Sequence, residues 1–330
     1  MPAGVVIGAL LASGLYRLAG AEPGPWRERY GRLGRLLFGT VIGAAIGSDV
    51  LAPLKTALLP MTVLIAVIIG VGLFLGWALG RFSPLDTATG LISAVPGGLP
   101  AMAAIADESD ADATMVTAIH FSRLITILLV VPALIPLLAT ASDGGAAVVL
   151  LVEPVGVWRT AATLALGLAG GLVAMRLKVP TGDLIGPIVA VGAINLIWAG
   201  PGPLADGFRT AAMILIGTAV GTQMSRKSLG QLRHVALPAA AVIVILIGVG
   251  LTLGWGLSRV TSLDLASALL TGVPGGAATM PAVAQDLGGD MRLVAALHLM
   301  RQLVVFIVVP SVLSYLLRAR RLERASATGD

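Results

Sequence analysis

Two histidine–arginine pairs of identical spacing stand in this chain, His120-x-x-Arg123 and His298-x-x-Arg301. A spacing of three puts both members of a pair on one helix face. Counted from Asp112 or Asp290 as the helix entrance, each arginine lies about 16 Å along an apolar helix, near the middle of a bilayer. A guanidinium at that depth is costly unless it faces the protein interior or a wet cavity. Upstream of each pair stands a turn, Val95-Pro96-Gly97-Gly98 and Val273-Pro274-Gly275-Gly276. Proline removes a backbone donor and glycine opens conformations closed to other residues, so each turn frees backbone polar groups. A half-helix starting after such a turn aims its positive N-terminus at whatever sits there. Two arginines and two half-helix N-termini make an electropositive centre suited to a small anion. Histidine, titrating near neutrality, could carry a coupled proton. The binding set expected is Pro96, Gly97, Gly98, His120, Arg123, Pro274, Gly275, Gly276, His298 and Arg301. The plainer alternative keeps the turns as kinks and the arginines as structural ion pairs or caps on the freed carbonyls.

The two motifs belong to two copies of one unit. Residues 69–132 align with 247–310 without a gap at an offset of 178, and about 29 of the 64 pairs are identical. A long fixed period of this kind governs the fold. The shared spine runs from Gly76-Trp77 and Gly254-Trp255 through Asp86/Asp264, Met102/Met280 and Asp112/Asp290 to Pro132/Pro310. The offset continues upstream, where Leu59-Pro60 matches Leu237-Pro238.

Composition sets the solvent. Hydrophobic residues make up 57% of the chain and charged residues 12%, with a mean hydropathy of +0.95. A water-soluble domain carries about twice that charge, and several apolar stretches reach the roughly 20 residues that span a bilayer. The chain reads as an all-α polytopic membrane protein. Its net charge of +5 fits basic cytoplasmic loops rather than a nucleic-acid partner. With no cysteine, disulfides and thiolate metal sites are excluded; no cofactor or metal is expected.

Each copy reads as five helices, A to E. Copy one has A 3–18, B 36–48, C 57–79, D 85–106 and E 111–140. Copy two has A 181–198, B 206–224, C 235–257, D 263–285 and E 291–317. An extra helix over 158–176 precedes the second set, and Met1 aligns with Val179 just after it, so symmetry predicts one further span upstream of Met1. The domains expected are a first membrane repeat over 1–140, a connecting loop over 141–157, a second repeat over 158–317 and a basic cytoplasmic tail over 318–330.

Lysine and arginine in short loops set orientation. The A–B loop of copy one carries Arg27, Arg29, Arg32 and Arg35, whereas in copy two the basic cluster, Arg226, Lys227 and Arg233, falls in the B–C loop. The same unit would then enter the membrane from opposite sides, giving inverted-topology repeats. Inversion needs an odd number of crossings, so one element should not cross. Each half of the broken D is about 11 residues, or about 16 Å, enough to reach only the bilayer centre. D is therefore read as a hairpin that dips in and returns, which puts Arg176, Lys178 and the tail arginines on the cytoplasmic side.

Other polar residues have plainer readings. Asp107, Glu108, Asp110 and Asp112, with Asp286 and Asp290 in copy two, form solvated D–E loops, a cation site being the alternative. Arg81/Arg259 and Asp86/Asp264 pair locally at the C–D turn. His234 is a solvated loop residue. Trp26, Trp77, Trp158, Trp198 and Trp255 mark span ends as interfacial anchors.

The doubled Val-Pro-Gly-Gly…Met…Asp…His-x-x-Arg pattern resembles the AbrB-like family of bacterial integral membrane proteins. The resemblance covers the whole chain, with Gly272–Pro310 nearest to the pattern. It implies a relationship to cation/proton antiporter and anion transporter folds with broken helices at the core. The family also carries the labels ammonia monooxygenase and transcriptional regulator. A membrane metal oxygenase needs clustered histidine and carboxylate ligands, and three histidines with no cysteine argue against that; no catalytic residues are assigned and no enzyme is expected. No basic DNA-binding segment is present. Inverted repeats with broken helices suit alternating access better than an open channel. The expectation is a secondary transporter of a small anionic solute, open to proton coupling, in the bacterial inner membrane. Membrane lipid and a second copy in a homodimer are its expected partners. The alternative is a membrane sensor with an indirect effect on gene expression.

Overall fold

The computed structural model describes residues 2–22, 24, 27–97, 102, 105–106, 109, 111–139, 156–179, 181–198, 204–224, 226, 230 and 232–328, the backbone alone at 2, 3, 27, 139, 306, 309, 310 and 313–328. Its described residues form α1 (Pro2–Leu18), α2 (Arg27–Ala45), α3 (Leu51–Phe82), α4 (Thr87–Ala94), α5 (Ala113–Ala139) and α6 (Val157–Arg176). They continue as α7 (Gly182–Trp198), α8 (Asp206–Gly221), α9 (Ala236–Val260), α10 (Leu265–Gly272), α11 (Met280–Asp286) and α12 (Met291–Thr328). Among the described residues, four stretches are long and apolar enough to cross a membrane: Ser48–Phe82, Ala113–Leu138, Val157–Arg176 and Ala236–Val260. This is an all-helical membrane protein.

Three boundaries differ from the expectation. Helix B of copy one begins at Arg27 rather than Leu36, because its arginines and Glu28 are good helix formers, and Gly31 and Gly34 on its buried side let it pack closely on α8. The arginines assigned to the A–B loop are therefore helical. The last helix runs on to Thr328 instead of ending before a separate tail, since the Arg/Glu/Ala-rich segment favours helix. Each half of D is shorter than the expected 11 residues: α10 has 8 residues and α11 has 7. Residues 273–279 form the break, longer than the Pro-Gly-Gly turn alone.

The helices sort into two bundles. In the first, α1 packs on α8, α2 packs on both α7 and α8, and α6 lies against α7. In the second, α3 carries α4, α9 carries α10, and α3 and α9 pack on each other and on α5 and α12. The contacts are swapped between copies: A of each copy packs on B of the other. Equivalent helices meet antiparallel. A Cβ on Gly31 of α2 would lie 2.9 Å from Ala219 of α8, and one on Gly34 would lie 2.9 Å from Leu215, so α8 descends as α2 rises. Leu75 and Leu79 at the end of α3 share an apolar cluster with Val235 and Ala239 at the start of α9. Val50 and Ala57 at the start of α3 cluster with Leu257 at the end of α9.

Close backbone approach seats each D helix on its C helix. A Cβ on Gly76 would stand 2.6 Å from Leu91 Cα, and one on Gly254 would stand 2.7 Å from Leu269 Cα. Small residues permit this contact, as they do between helices in lipid. Aspartate caps set the starts. Asp86 accepts from the Thr89 amide at 2.9 Å, and Asp264 from the Ser267 amide at 2.8 Å, each satisfying an orphan N-terminal donor.

Candidate functional site

The site is built where the broken D elements meet the E helices. The last carbonyls of α4 and α10 have no helical partner, and the E helices supply donors. In copy one, His120 Nε2 donates to the Ile92 carbonyl at 2.9 Å and Arg123 Nη1 donates to the Ala94 carbonyl at 3.3 Å. Arg123 Nη2 also donates to His120 Nδ1 at 2.8 Å. A carbonyl only accepts and a guanidinium only donates, so His120 is neutral with its proton on Nε2.

Copy two is wired differently. Arg301 Nη1 donates to the carbonyls of Thr271 at 3.3 Å and Val273 at 3.2 Å. His298 turns to its own helix, with Nδ1 donating to the Val294 carbonyl at 3.1 Å. Its Nε2 is buried and makes no hydrogen bond among the described residues. The Val273 carbonyl acts on that ring but is itself an acceptor, so a bond between them needs a proton on Nε2. All four side chains are buried, Arg123 5% and Arg301 6% exposed.

Both halves face one cavity of about 190 Å³. It is lined by Pro96, Gly97, His120 and Arg123 from copy one and by Pro274, Gly276, His298 and Arg301 from copy two. Eight of the ten residues expected from sequence are thus brought together. Gly275 is not on the wall: its α-carbon is packed toward Met280 and Ile127, which a Cβ would meet at 2.4 and 2.8 Å. Gly98 lies outside the described residues, as do Asp107, Glu108, Asp110 and Trp26. Gly276 holds φ at +99°, which favours glycine, and Thr279 closes the turn by donating to the Gly275 carbonyl at 2.5 Å.

Arginine capping of the D carbonyls, the plainer alternative, does occur. It uses one nitrogen of each guanidinium, and each guanidinium has five N–H donors. Arg301 feels the charge of Arg123, and no carboxylate stands among the described lining residues. Burying two like charges without a counter-ion is expensive. An anion in the cavity would offset that cost.

Sequence reasoning missed the opposite wall. Arg35, Thr181, Leu184, Ile216 and Val220 from the first bundle line the cavity, as do Thr279, Leu124 and Gln302 from the second. Arg35 is ion-paired with the buried Asp183, Nη2 to Oδ2 at 2.6 Å and Nε to Oδ2 at 2.8 Å, so it adds no net charge. The usable signal was Asp183 itself, a carboxylate opening an apolar helix, which needs a partner. This wall comes from one end of its bundle. Farther along the same helices, Phe38, Ile42, Ile188, Ala212 and Met213 close into an apolar core with Ala282, Ala295 and Leu299.

The described residues define an all-helical membrane protein with a buried cavity lined by two arginines. The chain belongs to the AbrB family: the family described as "Transition state regulatory protein AbrB" matches it over residues 5–317. It is similar to the protein named "Putative regulator AbrB" of Escherichia coli (strain K12), 24% identical over 329 residues, covering 96% of this chain and 90% of the relative. It is also similar to "Uncharacterized protein YhjN" of Bacillus subtilis (strain 168), 25% identical over 300 residues, covering 86% of this chain and 77% of the relative. No solved structure matches the chain.

Proposed function

We propose that this protein is a secondary transporter of a small anionic solute that works by alternating access, as a multi-pass protein of the bacterial inner membrane. The observation that carries this reading is the pair of buried arginines, Arg123 and Arg301, at equivalent positions of the two copies. Both face one cavity whose described lining holds no carboxylate. The antiparallel packing of equivalent helices supports inverted-topology repeats, the architecture of many secondary transporters. The cavity wall comes from one end of α2, α7 and α8 while the other end is closed by apolar packing, which supports access from one side at a time. Arg17, Arg176 and Arg226 lie toward the end of α2, α7 and α8 that lines the cavity, and the positive-inside rule supports reading that end as cytoplasmic. Proton coupling would act through His298, whose buried Nε2 makes no hydrogen bond among the described residues and could donate to the Val273 carbonyl once protonated.

Reconstitution into proteoliposomes tests this reading. Anion uptake above empty liposomes is expected for the native chain, reduced more than about tenfold in Arg301→Ala, because an arginine–carboxylate contact in a buried site is worth several kcal/mol. Arg301→Lys should recover part of it, since the ammonium keeps the charge but loses the planar fork. Uptake unchanged in Arg301→Ala would reduce the arginine to a cap on α10. A sensor role is the second reading, favoured by the regulator name of the Escherichia coli relative. Binding of the anion without uptake would select it.

A further inference from the structure

We infer that the cavity takes a short-chain organic monocarboxylate in preference to an inorganic oxyanion or a dicarboxylate, a proposal that rests on the anion site described above. The walls differ in chemistry. Arg123, Arg301 and His298 stand on the E helices, whereas Leu184, Ile216 and Val220 face them from the other bundle, with Leu124 between. Leu184, Ile216 and Val220 make this part of the wall aliphatic; its polar members are Thr181 and Arg35, and Arg35 is held by Asp183. Phosphate or sulfate presents oxygens on every side, and those turned to Leu184, Ile216 and Val220 would lose water without gaining a donor. A carboxylate concentrates its charge at one end, where two guanidinium forks meet it. Its hydrocarbon chain then replaces water along the aliphatic side. A second carboxylate would meet aliphatic side chains and the single hydroxyl of Thr181 on the facing wall rather than an uncompensated cation, because the remaining guanidinium, Arg35, is already held by Asp183. The cavity, at about 190 Å³, is smaller than the pockets of about 300–1,000 Å³ that hold drug-sized ligands, which restricts the chain to a few carbons.

The test is ligand-dependent thermal stability of the full chain in detergent, followed by tryptophan fluorescence, titrated with sodium acetate, butyrate, succinate, sulfate and phosphate at matched ionic strength. Burying a methylene improves affinity about fourfold, so butyrate should bind about tenfold or more tightly than acetate, and more tightly than succinate, sulfate or phosphate. Ile216→Thr and Val220→Thr place hydroxyls on the aliphatic wall. They should compress the butyrate-to-acetate ratio, as expected when chain burial sets the preference, and an unchanged ratio would overturn the role given to this wall. Sulfate or succinate binding as tightly as butyrate, with loss on Arg301→Ala, would overturn the monocarboxylate assignment and leave the anion site standing. Absence of stabilisation by every one of these anions, or stabilisation unchanged in Arg301→Ala, would overturn both.

Discussion

The backbone amide of Asp290 donates to the hydroxyl of Ser267 at 2.7 Å, although 23 residues separate them. A straight helix of that length would hold its ends about 35 Å apart. Copy one repeats the contact: the Asp112 amide donates to Thr89 Oγ1 at 2.9 Å, again across 23 residues. Element D therefore ends where it began, in both copies. Pro96 and Gly97 in copy one and Pro274 and Gly276 in copy two are thereby delivered to the cavity, and the E helices start beside the ends of D.

This clasp has a measurable worth. Ser267→Ala removes the acceptor of the Asp290 amide and should cost about 1–2 kcal/mol, the usual penalty for orphaning a partly buried donor. Ser267→Thr, which copies the arrangement at Thr89, should cost far less. Thermal melts in detergent separate the two, and equal losses would mean that the hydroxyl is dispensable.

Seating of the hairpin on its neighbour is the next test. A methyl group on Gly254 would stand 2.6 Å from the Ala268 carbonyl oxygen and 2.7 Å from Leu269 Cα, both backbone atoms. Gly254→Ala should destabilise by about 1–3 kcal/mol through overpacking, and Gly254→Leu should prevent docking. Gly248, with open space around its Cα, should accept alanine without loss. Melting temperatures check both.

Topology follows from the antiparallel helices. The chain has no cysteine, so single cysteines are clean probes. Cysteines at Ser109 and Thr261, near the bases of the two hairpins, should react with an impermeant thiol reagent from opposite sides of the membrane. Labelling of both from the same side would defeat the inverted arrangement.

A pH dependence is expected at the base of the second hairpin, outside the spanning helices. Both carboxylate oxygens of Asp286 are buried without a hydrogen-bond partner among the described residues. Burial pushes this group up to about 7, with the charge of Arg209 acting against it. The folded protein then holds a proton that the unfolded chain releases near the ordinary carboxylate value. Its contribution is fully present below that value and is lost as pH rises toward and through 7. Asp286→Asn should flatten the fall in melting temperature between pH 4 and about 8 and raise stability at the alkaline end. An unchanged profile would assign the titration elsewhere.

Much of this arrangement was legible in the chain. Repetition at a fixed offset paired His120 with His298 and Arg123 with Arg301, and apolar context told that the arginines face inward. The Pro-Gly-Gly turns marked the break in D. What stayed hidden depended on packing between elements far apart in sequence. Leu184, Ile216 and Val220 look like any other aliphatic residues of apolar helices, and only the fold brings them across from Arg301. Arg35 read as a loop charge because the start of α2 is amphipathic rather than apolar. The different wiring of His120 and His298 was equally out of reach, since identical motifs predict identical bonds. Gly275 was misread because sequence shows that a glycine is required without showing whether space or neighbours require it.

The central claim is that the two copies converge on one anion, not that each holds its own. Equilibrium dialysis of the purified chain against radiolabelled butyrate measures this directly. One butyrate per chain is expected, with affinity falling more than about tenfold in Arg123→Ala and in Arg301→Ala alike, because each guanidinium serves the same carboxylate. Two butyrates per chain, each lost with only one of the arginines, or binding unchanged in both variants, would contradict it.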